Sequence, residues 1–89
     1  MTAATASGIV DGACSVLIAS ENKVKALNLK PLAEVVDYSV VGVDPKIMGI
    51  GPVPASRLLM ERNKLEMKDI DLWEINEAFA SQALSLIHI

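Results

Sequence analysis

A run of valines between Leu32 and Val43 constrains the fold of this chain more than any other feature of its sequence. Val35, Val36 and Val40, with further valines at 41 and 43, fall at both odd and even positions. Because successive side chains of a strand point to opposite faces, neither face of this segment is polar. That pattern is typical of a strand covered on both faces in a layered α/β fold.

The remaining segments alternate between strand and helix patterns. Short apolar runs at 13–19 and 70–75 favour buried strands. One helix is predicted after the N-cap residue Ser20, a second from Pro54, and a third over 77–86. The order β-α-β-α-β-α with short connections predicts an α/β fold with a mostly parallel sheet and crossover helices.

The composition indicates that this unit belongs to a larger structure. The chain has 89 residues, of which 52% are hydrophobic, and its mean hydropathy is positive at +0.40. A chain this short buries only about 60% of the surface that its unfolded form exposes. So many apolar side chains therefore need cover from elsewhere, and we expect an internal piece of a longer protein.

Charge and cysteine content exclude several classes of function. The net charge is −3 and the basic residues are scattered, so no nucleic-acid partner is expected. No apolar run approaches the ~18 residues of a membrane span, and the N-terminus lacks a signal-peptide pattern. The single cysteine, Cys14, allows neither an internal disulfide nor a cysteine metal cage. We expect a reducing compartment, which is the cytoplasm, or an organelle for a eukaryotic parent.

Three motifs follow one another along the chain. The first is ASGI at 6–9 with DGA at 11–13, the second GVDPKIMGIGPVPA at 42–55, and the third NEAFA at 76–80. Each alone is weak, but the ordered set with its separations resembles the thiolase family over residues 2–83. The resemblance is strongest to degradative 3-ketoacyl-CoA thiolases, and acetyl-CoA acetyltransferases share most of these residues.

The resemblance implies a partial thiolase-like layered fold and an acyltransferase activity. Thiolases cleave or form 3-ketoacyl-CoA through an acyl-cysteine intermediate, so CoA is a substrate and no separate cofactor or metal is implied. Residues 1–28 would be the end of the N-terminal portion of a thiolase, and 29–83 the start of its C-terminal portion. By analogy the parent would be a homo-oligomer, either a dimer or a tetramer.

The resemblance also assigns roles to individual residues. Asn76 matches the asparagine that holds a water of one oxyanion hole, a donor that stabilises developing charge. The alternative is that Asn76 only caps the helix that follows it. The residues matching those that contact CoA or line its acyl-pantetheine channel are Ser7, Ala3, Met48, Ala78 and Phe79.

A thiolase also needs a nucleophilic cysteine, an activating histidine and a second cysteine for proton transfer. Cys14 lies in an apolar segment without the cationic setting that makes a thiol reactive, and His88 lacks the family's Gly-His-Pro context. The 89 residues are therefore expected to be inactive alone. The alternative is a non-catalytic CoA-binding or interaction module of the thiolase-like superfamily.

The last six residues, 84–89, do not resemble a thiolase. Their sequence LSLIHI matches the translation of CTG-TCT-CTT-ATA-CAC-ATC, a transposase end sequence that is ligated to DNA during library preparation. We expect this tail to be derived from an adapter, in which case His88 is not a natural residue.

Overall fold

The computed structural model describes residues 1–89 and consists of helices joined by extended and irregular segments. The α-helices are α1 (Glu21–Ala26), α2 (Pro52–Asn63) and α3 (Ala80–Leu86). Two 3-10 helices, Pro45–Ile50 and Met67–Asp69, lie immediately before α2 and between α2 and α3.

The first helix, α1, begins where the sequence predicts because Ser20 caps it. The Ser20 hydroxyl accepts a hydrogen bond from the Lys23 backbone N–H at 3.4 Å, and Glu21 forms an ion pair with Lys25 one turn later. Just beyond the helix, Asn28 has a φ of 50°, a left-handed conformation that asparagine tolerates better than most residues. The prediction of a short helix after Ser20 is confirmed.

Prolines at its start define the second helix, α2. Pro52 and Pro54 lie in the first turn, where a missing backbone N–H leaves no helical bond unmade. The helix ends at Asn63. Its C-cap residue, Lys64, has a φ of 54°, and the Lys64 N–H bonds to the carbonyl oxygens of Met60 and Glu61. The helix predicted from Pro54 is confirmed, with its start two residues earlier.

Polar side chains hold the middle of the valine-rich segment against α2. The Asp37 carboxylate accepts hydrogen bonds from Arg62 Nη2 at 3.1 Å and from Asn63 Nδ2 at 2.7 Å. Two residues later, the Ser39 hydroxyl donates to the Ala55 carbonyl oxygen at 2.7 Å. We call Asp37, Arg62 and Asn63 the Asp37 clamp, because together they fix this segment along the helix.

The three predicted strands do not form in this chain. Segments 13–19, 32–43 and 70–75 have no strand pairing, and the one β-bridge is antiparallel, between Ala6 and Phe79. A strand exists only where a neighbouring strand supplies backbone partners, and the valine-rich segment lies on a helix instead. The mostly parallel sheet is not confirmed by this structure and stays a prediction for a longer protein.

The third helix also differs from its prediction, since α3 begins at Ala80 rather than at Glu77. Phe79, the residue before it, has φ −139° and ψ 134°, which is extended backbone. The bridge to Ala6 requires that extended geometry, so the helix cannot start earlier. A long-range contact has therefore overridden local helix propensity.

The chain has no buried core. None of its residues is fully buried, and its Cα radius of gyration is 16.9 Å, against about 12 Å for a compact chain of this length. Val16 and Ile18 remain 77% and 85% exposed. Its helices are all too short or too polar to cross a bilayer.

Candidate functional site

The N-terminal motif lies beside the last motif, although about 70 positions separate them in sequence. The Ser7 backbone N–H donates to the Ala78 carbonyl oxygen at 2.9 Å, and the Ala80 N–H donates to the Thr5 carbonyl oxygen at 2.9 Å. These bonds flank the Ala6–Phe79 bridge. The first turn of α3 is thereby tied to the loop that contains Ser7.

The middle motif folds into a tight loop that reaches the same helix. Its 3-10 helix begins after Asp44, whose carboxylate accepts the Lys46 backbone N–H at 2.9 Å. Further along, the Gly49 carbonyl oxygen accepts a hydrogen bond from Gln82 Nε2 of α3 at 2.9 Å. We call residues 44–52 the Gly/Pro loop. All three motifs thus meet around the first turns of α3.

An open cleft of about 650 Å³ separates the Gly/Pro loop from α3. Met48 and Phe79, which are predicted to line the acyl-pantetheine channel, and Ala78, a predicted CoA-binding residue, lie in its wall. The wall also contains residues that the sequence did not single out, among them Gln82 and Ile50. Most of its surface is apolar, so it suits a flexible ligand of low polarity.

A smaller hollow of about 210 Å³ is lined by residues that include Ala6 of the Ala6–Phe79 bridge. Ser7 borders it, together with Thr5 and Glu77. Ser7 therefore lines this hollow and not the wall of the cleft. The hydrogen bond from its backbone N–H to the Ala78 carbonyl oxygen holds the backbone from which the serine side chain projects.

The other two predicted residues lie outside both cavities. Ala3 is in an exposed turn that the Thr5 N–H closes onto the Thr2 carbonyl oxygen at 3.0 Å. Asn76 is exposed and precedes the first residue of α3 by four positions. The N-cap of α3 is Phe79, so Asn76 does not cap this helix.

Sequence reasoning did not identify Gln82. Nothing in its local sequence distinguishes it from an ordinary polar residue on a helix. The only available signal is its spacing, because it comes three positions after Phe79 and residues at that spacing share a helix face. The contact with Gly49 is visible only once the chain is folded.

Charged and reactive groups are scarce at the cleft. Lys46 is the one charged residue in its wall. Cys14 is exposed and belongs to neither cavity, and His88 is exposed as well. No three His, Cys, Asp or Glu side chains lie close enough together to hold a metal ion. The arrangement can bind a ligand and orient it, whereas its walls contain neither a cysteine nor a histidine.

Comparison with known proteins identifies the relatives of this chain. Residues 29–89 match the family model described as the thiolase C-terminal domain. The chain is 54% identical over 86 residues to an acetyl-CoA acetyltransferase of Cupriavidus necator, which covers 97% of the chain and 22% of that protein. It is 56% identical over 86 residues to a mitochondrial 3-ketoacyl-CoA thiolase of Pongo abelii, with the same coverage.

Solved structures agree with these relatives. The acetyl-CoA acetyltransferase of Bacillus anthracis superposes with a TM-score of 0.75 at 56% identity, covering 78% of this chain and 18% of that one. Human mitochondrial 3-ketoacyl-CoA thiolase in complex with CoA gives 0.75 at 53% identity, covering 79% and 18%. The chain spans about a fifth of the length of the relatives that it matches. Its conformation is thiolase-like, and the chain belongs to the thiolase family.

Proposed function

We propose that the chain is a section of an acyltransferase that thiolytically cleaves or forms 3-ketoacyl-CoA through an acyl-cysteine intermediate. The observation that carries the proposal is the meeting of the three motifs around the first turns of α3. The bonds Ser7–Ala78 and Gln82–Gly49, each 2.9 Å long, join segments that lie far apart in sequence. A chance similarity of short motifs gives no reason for such convergence.

The cleft is suited to the acyl-pantetheine part of an acyl-CoA. Met48 and Phe79 provide apolar contact surface for a flexible chain, and Ala78 leaves room beside the bridge. The Ser7 hydroxyl, and Ala3 in the preceding turn, would contact the pantetheine arm. One of the similar solved structures is a thiolase in complex with CoA, which supports CoA as the ligand and substrate.

Asn76 would act on charge that develops during the reaction. A neutral amide can hold a water in one orientation, and that water donates a hydrogen bond to the thioester oxyanion. Its exposure in this chain leaves the side chain open to such a water. The histidine that completes the oxyanion hole, and both cysteines, would come from other parts of the parent protein.

The parent protein would also complete the fold. Residues 1–28 would close its N-terminal portion and 29–83 would open its C-terminal portion, with the valine-rich segment as a strand of a mostly parallel sheet. The parent would be a homo-oligomer in the cytoplasm or an organelle. Residues 84–89 would be an adapter-derived tail. Because the family match includes them, the test is whether their codons are those of the adapter sequence or different ones.

The test compares thiolytic cleavage of acetoacetyl-CoA by the full-length protein and by the 89-residue chain. We expect turnover by the full-length protein and none by the chain, since it cannot supply the Cys/His/Cys set and loss of one catalytic member already removes most of the rate. Cleavage by the chain that alkylation of Cys14 abolishes would contradict both the expected inactivity and the structural role of that thiol.

A non-catalytic CoA-binding module is the second candidate. The observation that favours it is the cleft itself, which forms within these 89 residues without a cysteine or a histidine in its walls. Calorimetric titration of CoA into the chain distinguishes the two proposals. Micromolar binding by a monomeric chain would support the module, whereas absence of binding together with activity of the full-length protein supports the acyltransferase.

A further inference from the structure

A single side-chain hydrogen bond joins the two walls of the cleft. It runs from Gln82 Nε2 in α3 to the Gly49 carbonyl oxygen in the Gly/Pro loop. Met48 is the neighbour of Gly49 on one wall, and Phe79 lies three positions before Gln82 on the other. The bond therefore links the loop beside Met48 to the helix that follows Phe79.

Chemistry fixes the orientation of the Gln82 amide. A backbone carbonyl oxygen can only accept, so the amide atom that faces Gly49 must be the nitrogen. The amide oxygen, Oε1, is closed off from solvent and has no hydrogen-bond partner. A buried acceptor without a partner is destabilising. An apolar side chain of similar length would avoid that cost, so packing alone does not account for a glutamine.

Steric contact between Gly49 and Gln82 does not set the distance between the walls. A Cβ atom built on Gly49 would meet Gln82 Cγ at 3.6 Å, which is an ordinary van der Waals separation. The loop backbone and the glutamine are therefore not pressed together at this point. A hydrogen bond, in contrast, has a narrow range of favourable distance and angle, and this one holds Gly49 in a defined place.

We infer that Gln82 is a positioning residue that fixes the separation of Met48 and Phe79 across the cleft. The inference rests on the proposed function and extends it, because this separation sets how well acyl groups of different length fit. Gln82 itself does not touch the reacting atoms. It acts through the Gly/Pro loop, and its contribution is to substrate binding and acyl-chain preference.

The experiment uses Gln82→Met in the full-length protein. Methionine keeps the length and apolar volume of the side chain but removes the donor. We expect the KM for acetoacetyl-CoA to rise about 3- to 10-fold, the effect of one neutral hydrogen bond, with kcat within about 2-fold. The preference between acetoacetyl-CoA and a longer 3-ketoacyl-CoA should change as well. Tm should stay the same or rise, because the unpaired acceptor is gone.

A second variant, Gln82→Glu, keeps the shape of the side chain but replaces the donating amide nitrogen by a carboxylate oxygen, which only accepts when ionised. Its ionised carboxylate would face the Gly49 oxygen and repel it, so KM should rise further at pH 8. A protonated carboxyl group can donate, so the KM increase should shrink as pH is lowered towards 5.5. A purely structural role gives no such recovery. The matched control is Glu61→Gln on the exposed surface of α2, which should behave as the unsubstituted protein.

Two results would overturn the inference in distinguishable ways. A Gln82→Met protein with unchanged KM and unchanged chain-length preference would show that the contact does not position the cleft, whatever happens to its Tm. An unsubstituted full-length protein without activity on any 3-ketoacyl-CoA would overturn the proposed function, and this inference with it.

Discussion

Asn76 shows how a long-range contact separates two roles that its sequence context leaves open. An asparagine just before a helix is a good N-cap, and the sequence predicts a helix from Glu77. In the structure α3 begins at Ala80 and its N-cap is Phe79, because residue 79 is paired with the N-terminal loop. The side chain of Asn76 is left exposed and has no capping task in α3.

Substitution of Asn76 by alanine in the full-length protein should lower kcat by about 100-fold and change KM less than 3-fold. The reason is that a water-positioning amide acts mainly on charge that appears in the transition state. Steady-state thiolysis of acetoacetyl-CoA measures both parameters. Tm should not fall, since no helix loses its cap; small and equal effects on kcat and KM would remove Asn76 from the catalytic site.

Ser7→Ala is the comparison for that experiment. A hydroxyl that binds the pantetheine arm equally in the ground state and the transition state should, when lost, raise KM and leave kcat nearly unchanged. The backbone bond from Ser7 to Ala78 does not involve the side chain, so the loop should keep its position. A variant that changes mainly KM (Ser7→Ala) and one that changes mainly kcat (Asn76→Ala) then separate substrate binding from catalysis.

At the scale of elements, the Asp37 clamp is the principal polar link between the valine-rich segment and α2. The hydrogen bond from Asn63 lowers the pKa of Asp37 most, followed by the Tyr38 backbone N–H and the positive charge of Arg62. The carboxylate is therefore favoured in its ionised form when it is in place. The Arg62 side chain is 52% exposed and that of Asp37 18%, so solvent screens the ion pair between them.

The sign of this pKa shift predicts a pH dependence. Because the folded pKa of Asp37 lies below its unfolded value of about 3.9, the clamp stabilises fully above that value and is lost as pH falls through the folded pKa. In the full-length protein, Asp37→Asn should lower Tm at pH 7 by on the order of 2 °C. The difference between variant and unsubstituted protein should shrink below about pH 4.

Differential scanning fluorimetry across pH 3.5 to 8 measures that difference. The control is Asp11→Asn, at an exposed aspartate in the N-terminal loop, which should show little difference at any pH. A Tm difference for Asp37→Asn that persists unchanged at pH 3.5 would show that Asp37 contributes through packing rather than through its charge.

At the scale of the whole molecule, the chain exposes more apolar surface than a stable monomer does. Val16, Leu17 and Ile18 are 77–86% exposed, and no charged residue occurs between Ala13 and Ser20. Uncharged segments of high β-propensity without proline readily pair with other chains. Within a full-length thiolase, other parts of the protein would cover this surface.

We therefore expect the isolated 89-residue chain to self-associate. Light scattering after size-exclusion chromatography at several concentrations should show an average mass that rises with concentration, and denaturation should be broad. Val16→Lys should reduce the association, because a charge in the apolar segment disfavours pairing. A sharp two-state transition from a monomer, independent of concentration, would contradict this and would favour the small CoA-binding module.

Local sequence is enough to specify the features that depend on neighbouring residues. Ser20 specifies the start of α1 through its own hydroxyl, and Pro52 and Pro54 specify the first turn of α2. The three motifs carried the family assignment, which the comparisons confirm. All of these signals act within a few positions, so they can be read from the chain without its fold.

The other features depend on contacts between distant segments, which are visible only in the folded chain. The start of α3 depends on pairing between residue 79 and Ala6, and the role of Gln82 depends on the position of Gly49. The strands predicted from the valine-rich pattern need backbone partners that these 89 residues do not provide, so apolar periodicity alone could not make them form. Segments that are distant in sequence set the backbone pairing and the geometry of the cleft. The local sequence of one segment does not specify which distant segment will contact it.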